Sequence, residues 1–215
     1  MKTARLYCIL DLGYVAEERA VSVATDLLTG GAEVLQLRAK GHDLGTVRRV
    51  AQSLIPLCRA AGVPFILNDH PALAAEIGAD GVHIGQDDGS LADAREISRS
   101  LIQDPGFKMI FGRSTHSPDQ ARAALAEGFD YIGFGPLFPT PTKLGRPGIG
   151  LADIAAMERD VGSRIPAFCI GGIKRSNLPE ILAAGARRVV IVSDLLTAAD
   201  IPAATAEVLT ALQAR

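Results

Sequence analysis

Short runs of apolar residues recur along the chain, and each is followed by a longer stretch in which apolar residues have helical spacing. The runs are continuous rather than alternating, which is typical of parallel strands covered on both faces. They are rich in Ile, Val, Leu and Phe and predict eight strands, over Leu6–Leu10, Val34–Leu37, Phe65–Leu67, Gly81–Ile84, Lys108–Phe111, Tyr131–Phe134, Ala167–Ile170 and Val189–Val192.

The stretches between these runs predict eight helices. Asp43 directly precedes one of them, where an aspartate is a preferred N-cap. Glycine follows several of the helices and accepts the left-handed conformation that ends a helix. The predicted helices cover Val15–Leu28, Leu44–Ala60, Pro71–Ile77, Leu91–Ser100, Pro118–Ala126, Leu151–Arg159, Leu178–Ala183 and Thr197–Leu212.

Eight strands alternating with eight helices predict the α/β class and a (β/α)8 TIM barrel. No linker or low-complexity stretch divides the sequence, so we expect a single domain over residues 1–215. A doubly wound open sheet is the alternative. It is the weaker one, because the turn Asp11-Leu12-Gly13 after the first strand lacks the glycine pattern of a dinucleotide site.

Composition narrows the classes of function. Hydrophobic residues make up 48% of the chain, charged residues 21%, and the net charge is −2 without any basic run, so we expect no nucleic-acid partner. No segment reaches 18 uninterrupted apolar residues, and the N-terminus has no signal-peptide pattern, so no membrane association is expected. The three cysteines, Cys8, Cys58 and Cys169, are scattered, which fits the reducing cytoplasm.

Polar residues and glycines follow every predicted strand from the second onward, whereas the helix-to-strand turns carry mostly small residues. The active site of a barrel enzyme lies at the carboxyl ends of its strands, so this asymmetry predicts an enzyme. The residues that follow the strands include Gln36, Arg38, Lys40, Asn68, Asp69, Asp88, Ser114, His116, Gly172 and Ser193.

Two of these groups suggest an anion site with a metal. Gln36 and Arg38 alternate with Leu37 and therefore point to one side of their strand; with Lys40 they form a set of donors for a phosphate ester. Asp69 and Asp88 follow neighbouring strands, where two facing carboxylates would repel without a cation between them. Oxygen ligands of this kind predict Mg²⁺. Capping of a following helix is the alternative role for either aspartate.

A second anion site is predicted from the segment Gly135–Lys143 and the last two strands. Thr140, Thr142 and Lys143 crowd two hydroxyls and an ammonium into a loop whose prolines and glycines exclude a helix. Gly171-Gly172 and Val192-Ser193 end the last two strands, where barrels often bind phosphate through backbone N–H groups. The alternative for the first segment is a solvated surface loop. We interpret His70 and His83 as structural and His116 as structural or capping.

Taken together, these motifs resemble those of the thiamine phosphate synthase family. The resemblance runs from about residue 5 to residue 200. No motif is specific alone, but their combination is. The motifs are Gln36-Leu37-Arg38-Ala39-Lys40, Asn68-Asp69, Gly81 to Asp88, Ser114-Thr115-His116, Gly135 to Lys143, Ile170-Gly171-Gly172-Ile173 and Val192-Ser193.

The resemblance implies a (β/α)8 barrel that joins a pyrimidine diphosphate to a thiazole phosphate, forming thiamine phosphate and releasing pyrophosphate by way of a pyrimidine-methyl cation. It implies that Mg²⁺ is held by Asp69 and Asp88, and that Arg38, Lys40, Ser114 and Lys143 are catalytic. The implied substrate-binding set is Gln36, Leu37, Arg38, Ala39, Lys40, Asn68, Ser114 and Lys143 for the pyrimidine diphosphate, Thr140, Thr142, Gly172, Val192 and Ser193 for the thiazole phosphate, and Pro141 within the same loop.

The sequence departs from the family pattern at two positions, and two other functions remain open. Arg113 stands where many synthases have a small residue, and Asp194 follows Ser193 where Ala is usual. The runner-up is a thiazole tautomerase, a sister family in which a histidine occupies the position of Pro136. A catalytically silent regulator that binds ligands on the same barrel is the third reading. The sequence leaves open a homo-oligomer, and whether the thiazole phosphate is carboxylated or plain.

Overall fold

The computed structural model describes residues 1–102, 104, 106–140 and 147–214. Eight parallel strands form a closed barrel in the order of the sequence, with β8 paired to β1, so the predicted fold class is confirmed. The strands are β1 (Leu6–Asp11), β2 (Val34–Arg38), β3 (Phe65–Asn68), β4 (Gly81–Ile84), β5 (Ile110–Thr115), β6 (Tyr131–Phe134), β7 (Ala167–Cys169) and β8 (Val189–Ile191).

Helices surround the barrel and connect its strands. Asp43 caps α2 as predicted, because its carboxylate accepts a hydrogen bond of 3.0 Å from the N–H of Thr46. The helices are α1 (Ala20–Thr29), α2 (Leu44–Ala61), α3 (Pro71–Glu76), α4 (Leu91–Arg99), α5 (Pro118–Glu127), α6 (Ile154–Met157), α7 (Leu178–Ala183), α8 (Ser193–Leu196) and α9 (Ile201–Gln213).

The strands carry two apolar layers, because successive side chains point to opposite faces. Residues such as Leu6, Cys8 and Leu10 of β1 are buried in the large cluster between the strands and the helices. Alternate residues face the interior of the barrel, which we call the lumen. The lumen is filled by Ala4, Tyr7, Ile9, Val34, Ile66, Tyr131, Phe168 and Val190.

Element boundaries differ from the prediction in several places. Strand β5 extends to Thr115, beyond the predicted Lys108–Phe111. The prediction stopped early because the last three residues of the strand are polar and do not continue the apolar run. The predicted helix Thr197–Leu212 begins only at Ile201, as α9, where Asp200 caps the N–H of Ala203 and Pro202 occupies the first turn, and the short α8 that precedes it was not predicted. Helix α1 is preceded by a 3₁₀ turn over Glu17–Arg19.

Helix α6 is shorter than predicted and continues into a π-helical turn over Glu158–Gly162. None of the helices in the described ranges is long and apolar enough to cross a membrane.

Candidate active site

A cavity opens at the carboxyl ends of the strands. Its floor is the aromatic part of the lumen, where Tyr7 and Tyr131 both pack edge-on against Phe168. Its walls include Gln36, Arg38, Asn68, Ser114, Thr140, Gly172, Val192 and Ser193, eight of the predicted site residues.

Arg38 reaches this cavity from the end of β2 and is held by a carboxylate that sequence reasoning missed. Its Nη1 donates to Asp11 Oδ2 at 2.6 Å, and the Asp11 side chain is 2% exposed. The other Asp11 oxygen accepts from the N–H of Gly13 at 2.9 Å. Asp11 therefore fixes the position of the guanidinium. A buried aspartate at the end of a strand was the signal that could have identified it.

The remaining residues of this predicted segment have different environments. The side chains of Leu37 and Ala39 pack into the outer core, so only their backbone could contact a ligand in the cavity. Lys40 is exposed, and its Nζ lies 3.8 Å from Asp69 Oδ2. Its ammonium therefore stands beside the predicted metal ligands rather than inside the cavity.

Asp69 and Asp88 lie together at the ends of β3 and β4. Asp69 has a left-handed backbone with φ of 65°. Burial, followed by the negative charge of Asp88, raises the pKa of Asp69, and the nearby Lys40 opposes that shift. Asp88 accepts a 2.6 Å hydrogen bond from the N–H of Gly85. Neither aspartate caps α4, because Ser90 does so in a capping box with Asp93.

Ser114 contacts a histidine that was interpreted as structural, and this interpretation needs correction. Nε2 of His83 lies 3.0 Å from Ser114 Oγ, and its Nδ1 lies 3.0 Å from the hydroxyl of Tyr131. His83 also lines the cavity. His116 does the same, although its Nδ1 is bonded to the carbonyl of Gly135 and Ser117 is the residue that caps α5.

The loops after β6 and β7 form the opposite wall. Leu137 donates to the carbonyl of Ile170 at 2.8 Å, and Phe138 donates to Gly171 at 3.1 Å, so the two loops are bonded together. Within the described ranges, the N–H groups of Gly172 and Ser193 donate to no other residue, and both residues line the cavity. Backbone donors of this kind suit a phosphate.

Three predicted site residues, Pro141, Thr142 and Lys143, lie outside the described residues. Thr140, directly before them, lines the cavity. Both departures from the family pattern have local structural partners. Arg113 donates to the carbonyl of Gly89 at 2.7 Å. Asp194 pairs with Arg175 at 2.9 Å.

A family model described as thiamine monophosphate synthase matches residues 6–195. A thiamine-phosphate synthase of Thermus thermophilus is 46% identical over 173 residues, which cover 80% of this chain and 79% of that protein. The chain belongs to the thiamine monophosphate synthase family. The thiamine-phosphate synthase of Shouchella clausii, at 36% identity, covers 99% of this chain and 98% of its own length. Family membership makes the chain an enzyme of the transferase class.

The thiamine monophosphate synthase fold is also found in solved structures. The thiamine phosphate pyrophosphorylase from Pyrococcus furiosus superposes with a TM-score of 0.84 at 30% identity and covers 98% of this chain and 96% of its own. A 3-hexulose-6-phosphate synthase superposes with a TM-score of 0.66 at 18% identity, covering 96% and 99%. The second likeness shows the fold alone.

Proposed function

We propose that this member of the family joins a pyrimidine diphosphate to a thiazole phosphate, with release of pyrophosphate and formation of thiamine phosphate. The observation that supports the proposal is a single cavity lined by two kinds of donor for an anion, which we call its charged end and its neutral end. Arg38 supplies a charged donor at one end, and Lys40 stands beside this end next to Asp69. The N–H groups of Gly172 and Ser193 supply neutral donors at the other.

The charged end suits a diphosphate. Arg38 is already oriented by Asp11, so little side-chain freedom is lost when it binds an anion. In the proposed reaction the C–O bond to the diphosphate breaks, and both bonding electrons leave with pyrophosphate. Arg38 and Lys40 stabilise the negative charge that develops on that leaving group, which lowers the barrier rather than only strengthening binding. Lys143 is proposed to act in the same way.

The donor set at this end also fits Mg²⁺. The two carboxyls of Asp69 and Asp88 are close enough for one to raise the pKa of the other, which is the situation that a cation relieves. Mg²⁺ commonly takes one or two protein carboxylates and completes its shell with water and substrate phosphate. When bound there, the ion would neutralise charge on the diphosphate.

The neutral end suits the thiazole phosphate, with Thr140 and Val192 at its edge; Thr142 is proposed to bind the same phosphate. Holding both substrates in one cavity places the thiazole nitrogen beside the pyrimidine-methyl carbon, where the nitrogen lone pair forms the new C–N bond. Among the described residues, Phe168 and the two tyrosines close the floor of the cavity. Restricting water in this way protects the cation from hydrolysis.

The decisive experiment incubates the purified protein with the pyrimidine diphosphate, the thiazole phosphate and Mg²⁺, and measures pyrophosphate and thiamine phosphate. We expect equal amounts of both products and none without the metal. Absence of turnover with these substrates would overturn the proposal. Isomerisation of the thiazole phosphate alone would favour the tautomerase, and binding of either substrate without any chemistry would favour a silent regulator.

Two variants test which residues act at the charged end of the cavity. Asp88→Ala and Lys143→Met are expected to reduce kcat by at least tenfold, since each removes a group that faces developing charge. Thermal melting should change little for Asp88→Ala, because its side chain is exposed and outside the core. Glu96→Ala on α4 is the matched control and should retain full activity. A melting loss as large as a core truncation, with unchanged Mg²⁺ dependence, would contradict the metal role.

A further inference from the structure

Four hydrogen bonds form a continuous chain across the floor of the cavity, from β2 to β5. Gln36 Nε2 donates to the Tyr7 hydroxyl at 2.8 Å. That hydroxyl lies 3.0 Å from the hydroxyl of Tyr131, which lies 3.0 Å from His83 Nδ1. His83 Nε2 lies 3.0 Å from Ser114 Oγ. We call these five residues the floor chain. It links two predicted substrate contacts, Gln36 and Ser114, through three residues that lie outside the predicted site.

The first bond sets the direction of all the others. An amide nitrogen only donates, so Tyr7 accepts from Gln36 and its single proton remains for Tyr131. The Tyr131 hydroxyl then has its own proton left for Nδ1 of His83. A neutral imidazole that accepts at Nδ1 carries its proton on Nε2 and donates to Ser114 Oγ. Ser114 consequently accepts from the protein and turns its own proton toward the cavity.

The packing of the two tyrosines supports this direction. Both are completely buried, and desolvation raises the pKa of each phenol, which keeps both protons in place at neutral pH. Within the described residues, Tyr131 is the one acceptor bonded to the Tyr7 hydroxyl, and an alternative direction would leave that buried proton without a partner.

The neighbouring strand makes room for the chain. A Cβ atom placed on Gly112 of β5 would come within 2.4 Å of the Tyr131 hydroxyl oxygen and even closer to the ring. A side chain at position 112 would therefore push Tyr131 away from both of its partners. The phenol of Tyr131 fits this site only because β5 carries a glycine there.

We propose that Tyr7, Tyr131 and His83 are positioning residues which hold Ser114 as a hydrogen-bond donor to an acceptor atom of the substrate, a ring nitrogen or a phosphate oxygen. They act through Ser114 and do not themselves react. This inference rests on the proposed function only in so far as Ser114 contacts the substrate. The orientation of the floor chain is a property of the ligand-free protein.

The first test measures the tautomer of His83 by the ¹⁵N chemical shifts of its ring nitrogens, in labelled protein at a pH where imidazole is neutral. The signals are assigned by their loss in His83→Gln. We expect the wild-type proton on Nε2. In Tyr131→Phe the donor to Nδ1 is absent, so the tautomers should become mixed. Thr205→Val, which removes a buried hydroxyl from α9 and lies outside the floor chain, should leave the His83 shifts unchanged.

A wild-type proton on Nδ1, or ring shifts that are the same in Tyr131→Phe, would overturn the proposal. Should Tyr131→Phe fail to fold, Tyr7→Phe removes the preceding hydroxyl and serves instead. In that variant the Tyr131 hydroxyl no longer accepts a hydrogen bond from Tyr7, so its own proton is directed less strictly toward His83. We expect the ¹⁵N shifts of the His83 ring to change, but by less than in Tyr131→Phe. Unchanged shifts in Tyr7→Phe would then count against the proposal.

The second test is a double-mutant cycle on kcat/KM for the pyrimidine diphosphate. Tyr131→Phe alone should lower kcat/KM by about tenfold, the value of one hydrogen bond of about 1.4 kcal/mol. In a Ser114→Ala background it should cause no further loss, because the floor chain acts through that hydroxyl. An equal loss in both backgrounds would overturn the positioning role. Absence of turnover in the wild type would defeat the proposed function instead, while the tautomer measurement would still decide the floor chain.

Discussion

Arg38 and Asp11 show how a single pair of side chains joins folding to ligand binding. The carboxylate of Asp11 is almost entirely removed from solvent, and the guanidinium of Arg38 is 16% exposed at the cavity wall. Burying two charges is costly, and their attraction offsets this cost only when the geometry is good. The pair is therefore better understood as a means of orienting Arg38 than as a source of stability.

Replacing Asp11 by Asn should separate these contributions. The amide keeps the size of the carboxylate but removes the negative charge bonded to Arg38, so the free energy of unfolding should fall by about 3 kcal/mol. We expect kcat/KM for the diphosphate substrate to fall as well, because Arg38 is no longer held. Denaturant unfolding and steady-state kinetics measure the two effects.

The matched control for Asp11→Asn is Glu76→Gln, which breaks the exposed pair with Arg48 on the outer helices. Its unfolding midpoint and kcat/KM should both equal those of the wild type. If Asp11→Asn were as harmless as this control, the orienting role of Asp11 would be wrong.

Asp69 predicts a dependence of stability on pH. Its pKa is raised in the folded protein, so its contribution is most favourable below the unfolded value near 4 and is lost as pH rises through the folded pKa. Without Mg²⁺, Asp69→Asn should therefore melt at a higher temperature than the wild type at pH 7. The two melting temperatures should converge as the pH falls toward 4.

Addition of Mg²⁺ should reverse this order at pH 7, because only the wild type gains binding free energy from the ion. Asp119→Asn, which changes an exposed carboxylate on α5, provides the control and should respond to pH and to Mg²⁺ as the wild type does. A wild type that melts higher than Asp69→Asn in EDTA at every pH would refute the raised pKa.

Strand alternation in the sequence predicted which residues of β2 face the ligand, since Gln36 and Arg38 both line the cavity and Leu37 does not. The same reasoning could not assign His83. A histidine within an apolar strand has either a structural or a ligand-facing role, and the choice depends on Tyr131 and Ser114, which come from other strands. Such partners are distant in the sequence and are identified only in the folded barrel.

At the scale of elements, the loops after β6 and β7 are built to fit one another. Gly171 and Gly172 both have left-handed backbones, with φ of 96° and 66°. A Cβ atom at Gly171 would lie 2.3 Å from the Cβ of Pro136. Glycine is thus required twice over at position 171, for its backbone conformation and for the close approach of the neighbouring loop.

Gly171→Ala tests this fit. We expect a greater loss of stability than in Gly62→Ala, because Gly62 also has a positive φ, of 67°, but has open space around its Cβ position. The control should lose about 1 kcal/mol through its backbone alone. Denaturant unfolding of both variants, with calorimetric binding of the thiazole phosphate, measures the difference. Equal losses would show that the loops can separate without cost.

The sequence predicted elements well where one pattern dominated. All eight strands were located, because continuous apolar runs leave few alternatives. The end of β5 was missed because Arg113 and Ser114 are polar, although both side chains are bonded within the protein. The start of α9 at Ile201 was missed although Asp200 and Pro202 marked it, and the short α8 was missed because its polar first residues directly follow β8.

At the scale of the whole molecule, Phe168 occupies the centre of the lumen. Its side chain is fully buried and contacts Tyr7 with ring centroids 5.3 Å apart and Tyr131 with centroids 6.0 Å apart. These residues come from β7, β1 and β6. The ring therefore connects strands from both ends of the chain across the interior of the barrel.

Phe168→Ala should reduce the free energy of unfolding by about 3–5 kcal/mol, the usual cost of an aromatic cavity in a core. Ile97→Ala on α4, where the side chain is 43% exposed, should change it by less than about 0.5 kcal/mol. Equilibrium unfolding in urea compares them. A small loss for Phe168→Ala would indicate that the barrel interior can collapse around the missing ring.

The aromatic layer also fills the lumen below the cavity. In the part of the chain that the structure describes, this layer lies between the cavity and the opposite rim of the barrel, so residues on that rim stand apart from what binds in the cavity. Substitutions on that rim can alter stability and solubility, whereas substitutions around the mouth of the cavity alter binding or catalysis. An engineer could therefore revise one end of this barrel for durability and the other for substrate, and treat the two as separate problems.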